Sequence, residues 1–170
     1  MNRRWKNLFS SVCYLAGPLF VVLVVERITK HHPRALPSHE DIPVDLKYQI
    51  DVLIGHISAV SAWSLAAMGA LSALGVKMID LGRWNLPTRR VLFVGFGLLV
   101  ASLYAGHESR LDVVNAYLGA GFADYRSVYI ETMTWLQVIG LLAGCTAFPI
   151  ILGLQSVQPP PAIMEEAESP

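Results

Sequence analysis

Four long apolar segments, separated by polar stretches, dominate the pattern along the chain. They cover residues 8–25, 52–76, 91–106 and 132–154, and none of them contains Asp, Glu, Lys or Arg. A helix needs about 20 apolar residues to cross the hydrocarbon core of a bilayer, and flanking Arg or His side chains can extend a shorter one. The alternation typical of barrel strands is missing. The pattern therefore predicts an all-α integral membrane protein, a four-helix bundle with short interfacial segments on its outer side.

The composition of the chain agrees with this fold class and limits the kinds of partner. Charged residues make up 15% of the 170 residues, whereas soluble domains carry about 25%. The formal net charge is zero, so no overall basic field attracts nucleic acid. Zinc-finger, P-loop and dinucleotide-binding motifs do not occur in the sequence. We therefore expect the protein to contact the lipid bilayer and not nucleic acid.

The chain is expected to form one domain followed by a tail. Residues 1–157 hold the four apolar segments and form the predicted transmembrane domain. Residues 158–170 contain three consecutive prolines and several glutamates without an apolar pattern, which predicts a disordered acidic tail. The chain starts with basic residues, as a signal peptide does, but its first apolar segment exceeds the usual length of about 7 to 15 residues. We therefore expect an uncleaved first helix.

The distribution of basic residues predicts the orientation of the bundle. Arg3, Arg4 and Lys6 precede the first segment, and four more Lys and Arg side chains crowd residues 77–90. With four crossings, these two stretches and the C-terminal tail share one side. Cytoplasmic loops are enriched in Lys and Arg. The predicted location is therefore the cell membrane, multi-pass, with the N- and C-termini in the cytoplasm.

Small residues and prolines suggest how the helices pack. The second segment carries Gly, Ala and Ser on every face, which predicts contacts with protein on several sides, so that a larger side chain at Ala66 or Gly69 destabilises the bundle. In the fourth segment, Gly140 and Gly144 form a GxxxG pattern, for which packing within the bundle is favoured over homodimerisation. Kinks are expected where Gly17-Pro18 and Pro149 interrupt the helices.

Two histidines provide the main candidate for chemistry. All five histidines fall on the predicted outer side, and His56 and His107 each follow a glycine near the end of an apolar segment. His56 lies about 6 Å below the boundary of its segment, a depth at which a polar side chain should face the bundle interior or water. His107 is expected at the same level. Asp51 and Glu131 begin neighbouring helices nearby, so two imidazoles and two carboxylates converge at one end.

Three interpretations of this cluster remain open. The first is that the four side chains are polar caps at a water boundary, with no cofactor. The second is a metal site formed by His56, His107, Glu131 and Asp51, holding a divalent transition metal, or a haem held by the two histidines. The third is a proton or ion relay that uses His56 with a neighbouring carboxylate. Apart from two thiols, the middle of each helix has no ionisable group, which argues against a relay across the membrane.

The sequence favours a function without catalysis. No serine lies in a GxSxG pattern, and no nucleophile has an acid at comparable depth. We expect a small multi-pass membrane protein that serves as an accessory or scaffold subunit, or binds a lipid or small ligand, within a homo-oligomer or a larger membrane complex. The alternative is a membrane redox or metal- or haem-binding protein that uses the outer-side histidines. Enzymatic activity is left open, with a non-enzymatic role favoured.

Overall fold

The computed structural model describes residues 3–30, 44–118 and 128–156, and their side chains over 11–29, 48–114 and 129–156. These residues are almost entirely helical. The helices are α1 (Arg3–Lys30), α2 (Val44–Asp80), α3 (Leu86–Leu118), α4 (Val128–Cys145) and α5 (Ala147–Ser156). Because α5 continues α4 after a short interruption, the fold is the predicted all-α four-helix bundle.

Each of the four helical stretches is long and apolar enough to cross a membrane, as the sequence predicts. The stretches are Ser11–Thr29, Tyr48–Asp80, Leu86–Val114 and Tyr129–Ser156. The helices extend past the predicted segments, most clearly at α3, which continues to Leu118 although its apolar segment ends at residue 106. Ser109 and Val113 are buried in this extension, so tertiary contacts stabilise it where hydropathy does not.

Three sequence predictions fall wholly or partly outside the described residues. The proline-containing loop over residues 31–43 and the acidic tail over residues 158–170 lie outside them. An interfacial broken helix is predicted over residues 111–129, and of this stretch residues 119–127 are also outside. The described part of that stretch is helical and belongs to α3 and α4.

The interruption between α4 and α5 confirms a break near Pro149. Proline has no N–H to donate to the carbonyl four residues earlier, and its ring clashes with that carbonyl. Here that carbonyl belongs to Cys145, the last residue of α4. The N–H of Thr146 is shared between Leu142 O and Ala143 O at 3.3 and 3.2 Å. In contrast, α1 runs without interruption through Pro18.

A tight turn reverses the chain between α2 and α3. Gly82 adopts a positive φ of 64°, and the N–H of Arg83 donates to Met78 O at 2.9 Å, a glycine-based helix ending. Asn85 then caps α3, because its Oδ1 accepts the N–H of Thr88 at 2.9 Å. The turn therefore sets α2 and α3 side by side and antiparallel.

Helix α3 lies at the centre of the bundle and contacts every other helix. Its neighbours α2 and α4–α5 run antiparallel to it, whereas α1 runs parallel. Among the described residues, α1 and α2 share few or no contacts, since α1 packs mainly on α3. We call the end near His56 and His107 the histidine end and the end near the α2–α3 turn the arginine end.

Glycines allow α3 and α4 to approach closely. A Cβ added at Gly144 would lie 2.7 Å from Leu99 Cγ and 3.2 Å from Gly95 O. A Cβ added at Gly140 would lie 3.0 Å from Leu98 O. Both glycines of the GxxxG pattern therefore face α3, which confirms the prediction that the pattern packs within the bundle.

Within the described chain, α2 packs through a single face, so its predicted contacts with protein on further sides stay a prediction. Ile57, Ser64, Leu71 and Met78, spaced seven residues apart, are buried. The opposite face is exposed, and nothing lies within 4 Å of a Cβ added at Gly69. Small residues permit close approach on any face, but among the described helices α2 packs mainly on α3 and α4, which lie on the same side of it.

Candidate functional site

The predicted histidine pair lies at one level of the bundle, as expected. The Nε2 of Gln137 donates to Ile57 O at 2.9 Å. The same amide lies against Gly106, because a Cβ added at that glycine would be 2.6 Å from Gln137 Cδ. Ile57 and Gly106 are therefore on either side of one side chain. Their chain neighbours His56 and His107 are at the same level and at the same end.

The side chains of the two histidines do not face each other. His56 and His107 are both exposed, so within the described chain the imidazole of His56 does not face the bundle interior, which was one of the two environments predicted for it. Successive residues on a helix are turned by about 100°. Because Ile57 and Gly106 occupy the interior positions, the adjacent histidines are turned outward.

The two carboxylates proposed to join them are also exposed. Asp51 and Glu131 lie on the outside of α2 and α4. Across the described residues, no group of three or more His, Cys, Asp or Glu side chains is placed to hold a metal ion. The metal or haem site at His56, His107, Asp51 and Glu131 stays a prediction from the sequence, and no contact within the described chain supports it.

The interior at this level is filled instead by a neutral polar network around Gln137. This glutamine is fully buried. Its Nε2 donates to Ile57 O and to Ser61 Oγ, each at 2.9 Å. Ser61 in turn donates its hydroxyl proton to Ile57 O at 2.9 Å. One amide of α4 is thereby attached to both a carbonyl and a hydroxyl of α2.

Two further serines extend the network to α3. Ser102 Oγ donates to Gln137 O at 2.7 Å. The hydroxyls of Ser64 and Ser102 lie 2.9 Å apart, and both residues are fully buried. The three helices α2, α3 and α4 are therefore joined by hydrogen bonds in the interior, where competing water is scarce and such bonds are strong.

One atom of this network has no hydrogen-bond partner in the structure, namely Gln137 Oε1. The orientation of the amide is determined by its other contacts, because Ile57 O can only accept and so requires the Nε2 group beside it. The network contains no ionisable side chain. Its hydrogen bonds join α2, α3 and α4 and set the register of the three helices.

Hydrogen bonds between tyrosine and carboxylate connect the helices at the histidine end. The hydroxyl of Tyr104 on α3 donates to Glu26 Oε2 on α1 at 2.6 Å, and that of Tyr129 on α4 donates to Glu108 Oε2 at 3.5 Å. A short bond to an ionised acceptor is stronger than one between neutral groups. Glu26 and Glu108 lie just beyond the ends of the first and third apolar segments, and each joins two helices.

A second polar cluster lies at the arginine end. Gln155 on α5 donates from Nε2 to Thr88 Oγ1 at 3.3 Å and accepts from Arg83 Nη1 at 3.3 Å. Thr88 is fully buried. The guanidinium of Arg90 lies over the ring of Tyr14, 5.5 Å from its centroid. These contacts join the α2–α3 turn to α5 and α3 to α1.

Gln137 was not among the residues predicted for the site, although the sequence carries one signal for it. It is the only amide side chain in the fourth apolar segment, at residues 132–154. A lone amide deep in such a segment needs a partner inside the protein, because an unpaired polar group in hydrocarbon is costly. The same argument applies to His56, which lies at a similar depth in its segment.

No protein-family profile, curated protein sequence or solved structure matches the chain.

Proposed function

We propose that this protein is a multi-pass integral membrane protein without catalytic activity, which acts as an accessory subunit of a larger membrane complex. Its partner is a transmembrane helix of another protein, which binds along the exposed face of α2. The N- and C-termini lie in the cytoplasm, since the arginine end carries the dense basic residues. The observation that carries the proposal is the kind of residue exposed on α2.

The exposed face of α2 consists largely of small residues. Between residues 55 and 73, every exposed residue except His56, Trp63 and Leu65 is Gly, Ala or Ser. Six of them recur at alternating intervals of four and three: Gly55, Ala59, Ala62, Ala66, Gly69 and Ala73. Nothing lies within 4 Å of a Cβ added at Gly55 or Gly69. This spacing makes one continuous shallow groove opposite the packed face of α2.

The exposed faces of the other helices are different. On α1 they carry large apolar side chains such as Phe20, Val21 and Ile28, and on α4 and α5 Trp135 and Leu152. Large side chains suit contact with lipid chains, whereas small residues in membranes concentrate where helix backbones approach each other. Within one protein, α2 therefore has the surface of a helix–helix interface and α1 that of a lipid-facing helix.

His56 supports the same conclusion independently. Its imidazole is exposed at the flank of the small-residue face, about 6 Å below the boundary of the apolar segment. A polar side chain facing hydrocarbon is costly. Trp63, also exposed at 70%, lies two turns further along the same flank. A partner helix with a polar side chain would form a hydrogen bond with the imidazole of His56. The same helix would cover the indole of Trp63.

Charge favours a different protein over a second copy of this chain. Copies that share one orientation in the membrane would bring two α2 helices together in parallel, with Asp51 of each facing the other on this face. Like charges placed opposite each other oppose association. A helix of different sequence can place a basic or neutral residue there.

Site-specific photo-crosslinking in the native membrane tests this proposal. A photoreactive residue is placed at Ala66 on α2, and a matched one at Ala16, which is also small and exposed but lies on α1. We expect position 66 to give one discrete adduct with another membrane protein and position 16 to give none. In addition, Ala66→Leu should abolish the adduct formed from position 62 and leave thermal unfolding in detergent unchanged.

Three results would contradict the proposal. An adduct of twice the mass of this chain would make the occupant a second copy. Equal labelling from positions 66 and 16 would make both faces lipid-exposed. A loss of thermal stability in Ala66→Leu that is absent in Ala16→Leu would show that the α2 face packs inside the chain.

A further inference from the structure

We propose that the arginine end of the bundle binds the headgroups of anionic phospholipids through Arg89, Arg90 and Lys77, with Arg83 beside them. This inference rests on the proposed membrane location but concerns a different surface from the α2 face. The ligand chemistry is a phosphodiester in a headgroup that keeps its net negative charge.

Positive charge at this end is not balanced by carboxylates. Lys77, Arg83, Arg89 and Arg90 lie on the α2–α3 turn and the helix turns that flank it. Among the described residues at this end, the only carboxylate is Asp80, and none of the four cations forms an ion pair with a described residue. The N-terminus of α3, which begins at Leu86, adds the positive end of a helix dipole.

Neutral contacts orient two of these cations without neutralising them. Arg83 donates to the amide oxygen of Gln155, and Arg90 lies over the ring of Tyr14. Such contacts restrict the side chains while their charge remains available. A guanidinium held in place can offer two parallel N–H donors to one phosphate, and less side-chain freedom is lost on binding.

The position of Trp84 puts these cations at headgroup depth. Its side chain packs against the apolar cluster that contains Met78 and Leu92. Tryptophan is enriched at membrane interfaces, where one edge is apolar and the other is polar. Arg83 precedes Trp84, and Arg89 is in the first turns of α3. The charges therefore lie at the edge of the apolar span, where lipid phosphates are found.

The histidine end provides the internal contrast. Arg27 and Arg110 are exposed there too. They share that end with several carboxylates, at Glu26, Asp51, Glu108, Asp112 and Glu131. An anionic headgroup would meet mixed charge at the histidine end and nearly unmixed positive charge at the arginine end. Each basic residue near an anionic membrane surface adds about 1 kcal/mol to the binding free energy, which is about fivefold in affinity.

Native mass spectrometry of the full-length protein in detergent tests the proposal. Phosphatidylglycerol and phosphatidylcholine are titrated separately, and the dissociation constant of the first bound lipid is measured. We expect tighter binding of phosphatidylglycerol. Arg89→Gln/Arg90→Gln should weaken it by about 25-fold, at about fivefold for each charge, without changing phosphatidylcholine binding. The control pair Arg27→Gln/Arg110→Gln should change neither constant by more than about twofold.

A second variant and a competitor make the result decisive. Lys77→Gln/Arg89→Gln leaves the contact between Arg90 and Tyr14 in place, so a loss of binding in this variant cannot come from a broken α1–α3 contact. Equal binding of the two lipids by the wild type, or equal losses in the control pair, would overturn the proposal. Displacement of the lipid by inorganic phosphate would also overturn it, because the site would then take the free anion.

The acidic tail of the chain is the competing occupant. Glu165, Glu166 and Glu168 follow α5, whose Gln155 contacts Arg83. If the tail bound the arginine end, the wild type would not distinguish the two lipids, and replacing the three glutamates by glutamine would restore the preference. That result would overturn the proposal. Unchanged lipid constants in this variant would support it.

Discussion

Replacement of Gly106 by alanine should destabilise the bundle although it adds a single methyl group. The added Cβ would lie 2.6 Å from Gln137 Cδ, so the glutamine amide must move away. Moving it breaks the two hydrogen bonds from Nε2 to Ile57 O and Ser61 Oγ. Since the amide is at the end of a flexible side chain, the main cost is the lost hydrogen bonds and not the steric clash.

The size of the effect follows from these contacts. Side-chain hydrogen bonds inside membrane bundles contribute about 0.6 kcal/mol each on average and up to about 1.7. The displaced amide stays buried without partners, which costs about 1 to 3 kcal/mol. Alanine favours the helix over glycine by about 1 kcal/mol. We therefore expect Gly106→Ala to lower the free energy of unfolding by about 2 kcal/mol.

Equilibrium unfolding by SDS in mixed micelles, followed by tryptophan fluorescence, measures this change. The matched control is Gly69→Ala, where nothing lies within 4 Å of the new Cβ, and it should stabilise the protein by about 0.5 to 1 kcal/mol. A double-mutant cycle tests the mechanism. In a Gln137→Ser background the amide is gone, so Gly106→Ala should cost less than about 0.5 kcal/mol. A full cost of Gly106→Ala in that background would refute the reasoning.

Three other predictions concern separate parts of the molecule. Tyr104→Phe should lower the unfolding free energy by about 1 kcal/mol, measured in the same way, because it removes the bond to Glu26; an unchanged value would mean that this contact does not hold α1 on α3. Ser102→Ala should cost about 1 kcal/mol and should show coupling with Ser64→Ala, and strictly additive losses would contradict the shared network. Reporter fusions after residue 158 and within residues 77–90 should report the cytoplasm, and a cytoplasmic signal from residues 31–43 would reverse the proposed orientation.

Several features of the fold could be predicted because they depend on local chemistry. Uninterrupted apolar length predicts helices, and the four helices are present. A proline without an N–H predicts an interruption, and α4 ends before Pro149. Paired glycines four residues apart predict close backbone approach, and Gly140 and Gly144 make it against α3. The shared level of His56 and His107 follows from segment boundaries alone.

The candidate site was harder to predict because it depends on which way each helix is turned. His56 and Ile57 are neighbours, as are Gly106 and His107, and a rotation of about 100° would exchange interior for exterior positions. The same rotation decides whether the small residues of α2 are packed or exposed. Turning a helix about its axis changes neither its apolar length nor its composition, which are the two properties that predict the helices.

What the sequence by itself determined is therefore the number of helices, their apolar segments and the break near Pro149. Only the tertiary structure decided that Gln137 lies inside, that His56 lies outside, and that α2 keeps one small-residue face uncovered. In a soluble helix, the apolar stripe identifies the buried face. In helices apolar enough to cross a bilayer, lipid-facing and protein-facing sides are both apolar, so hydropathy cannot orient them. Their rotation is settled by close packing at Gly106, Gly140 and Gly144 and by the hydrogen bonds of one buried amide.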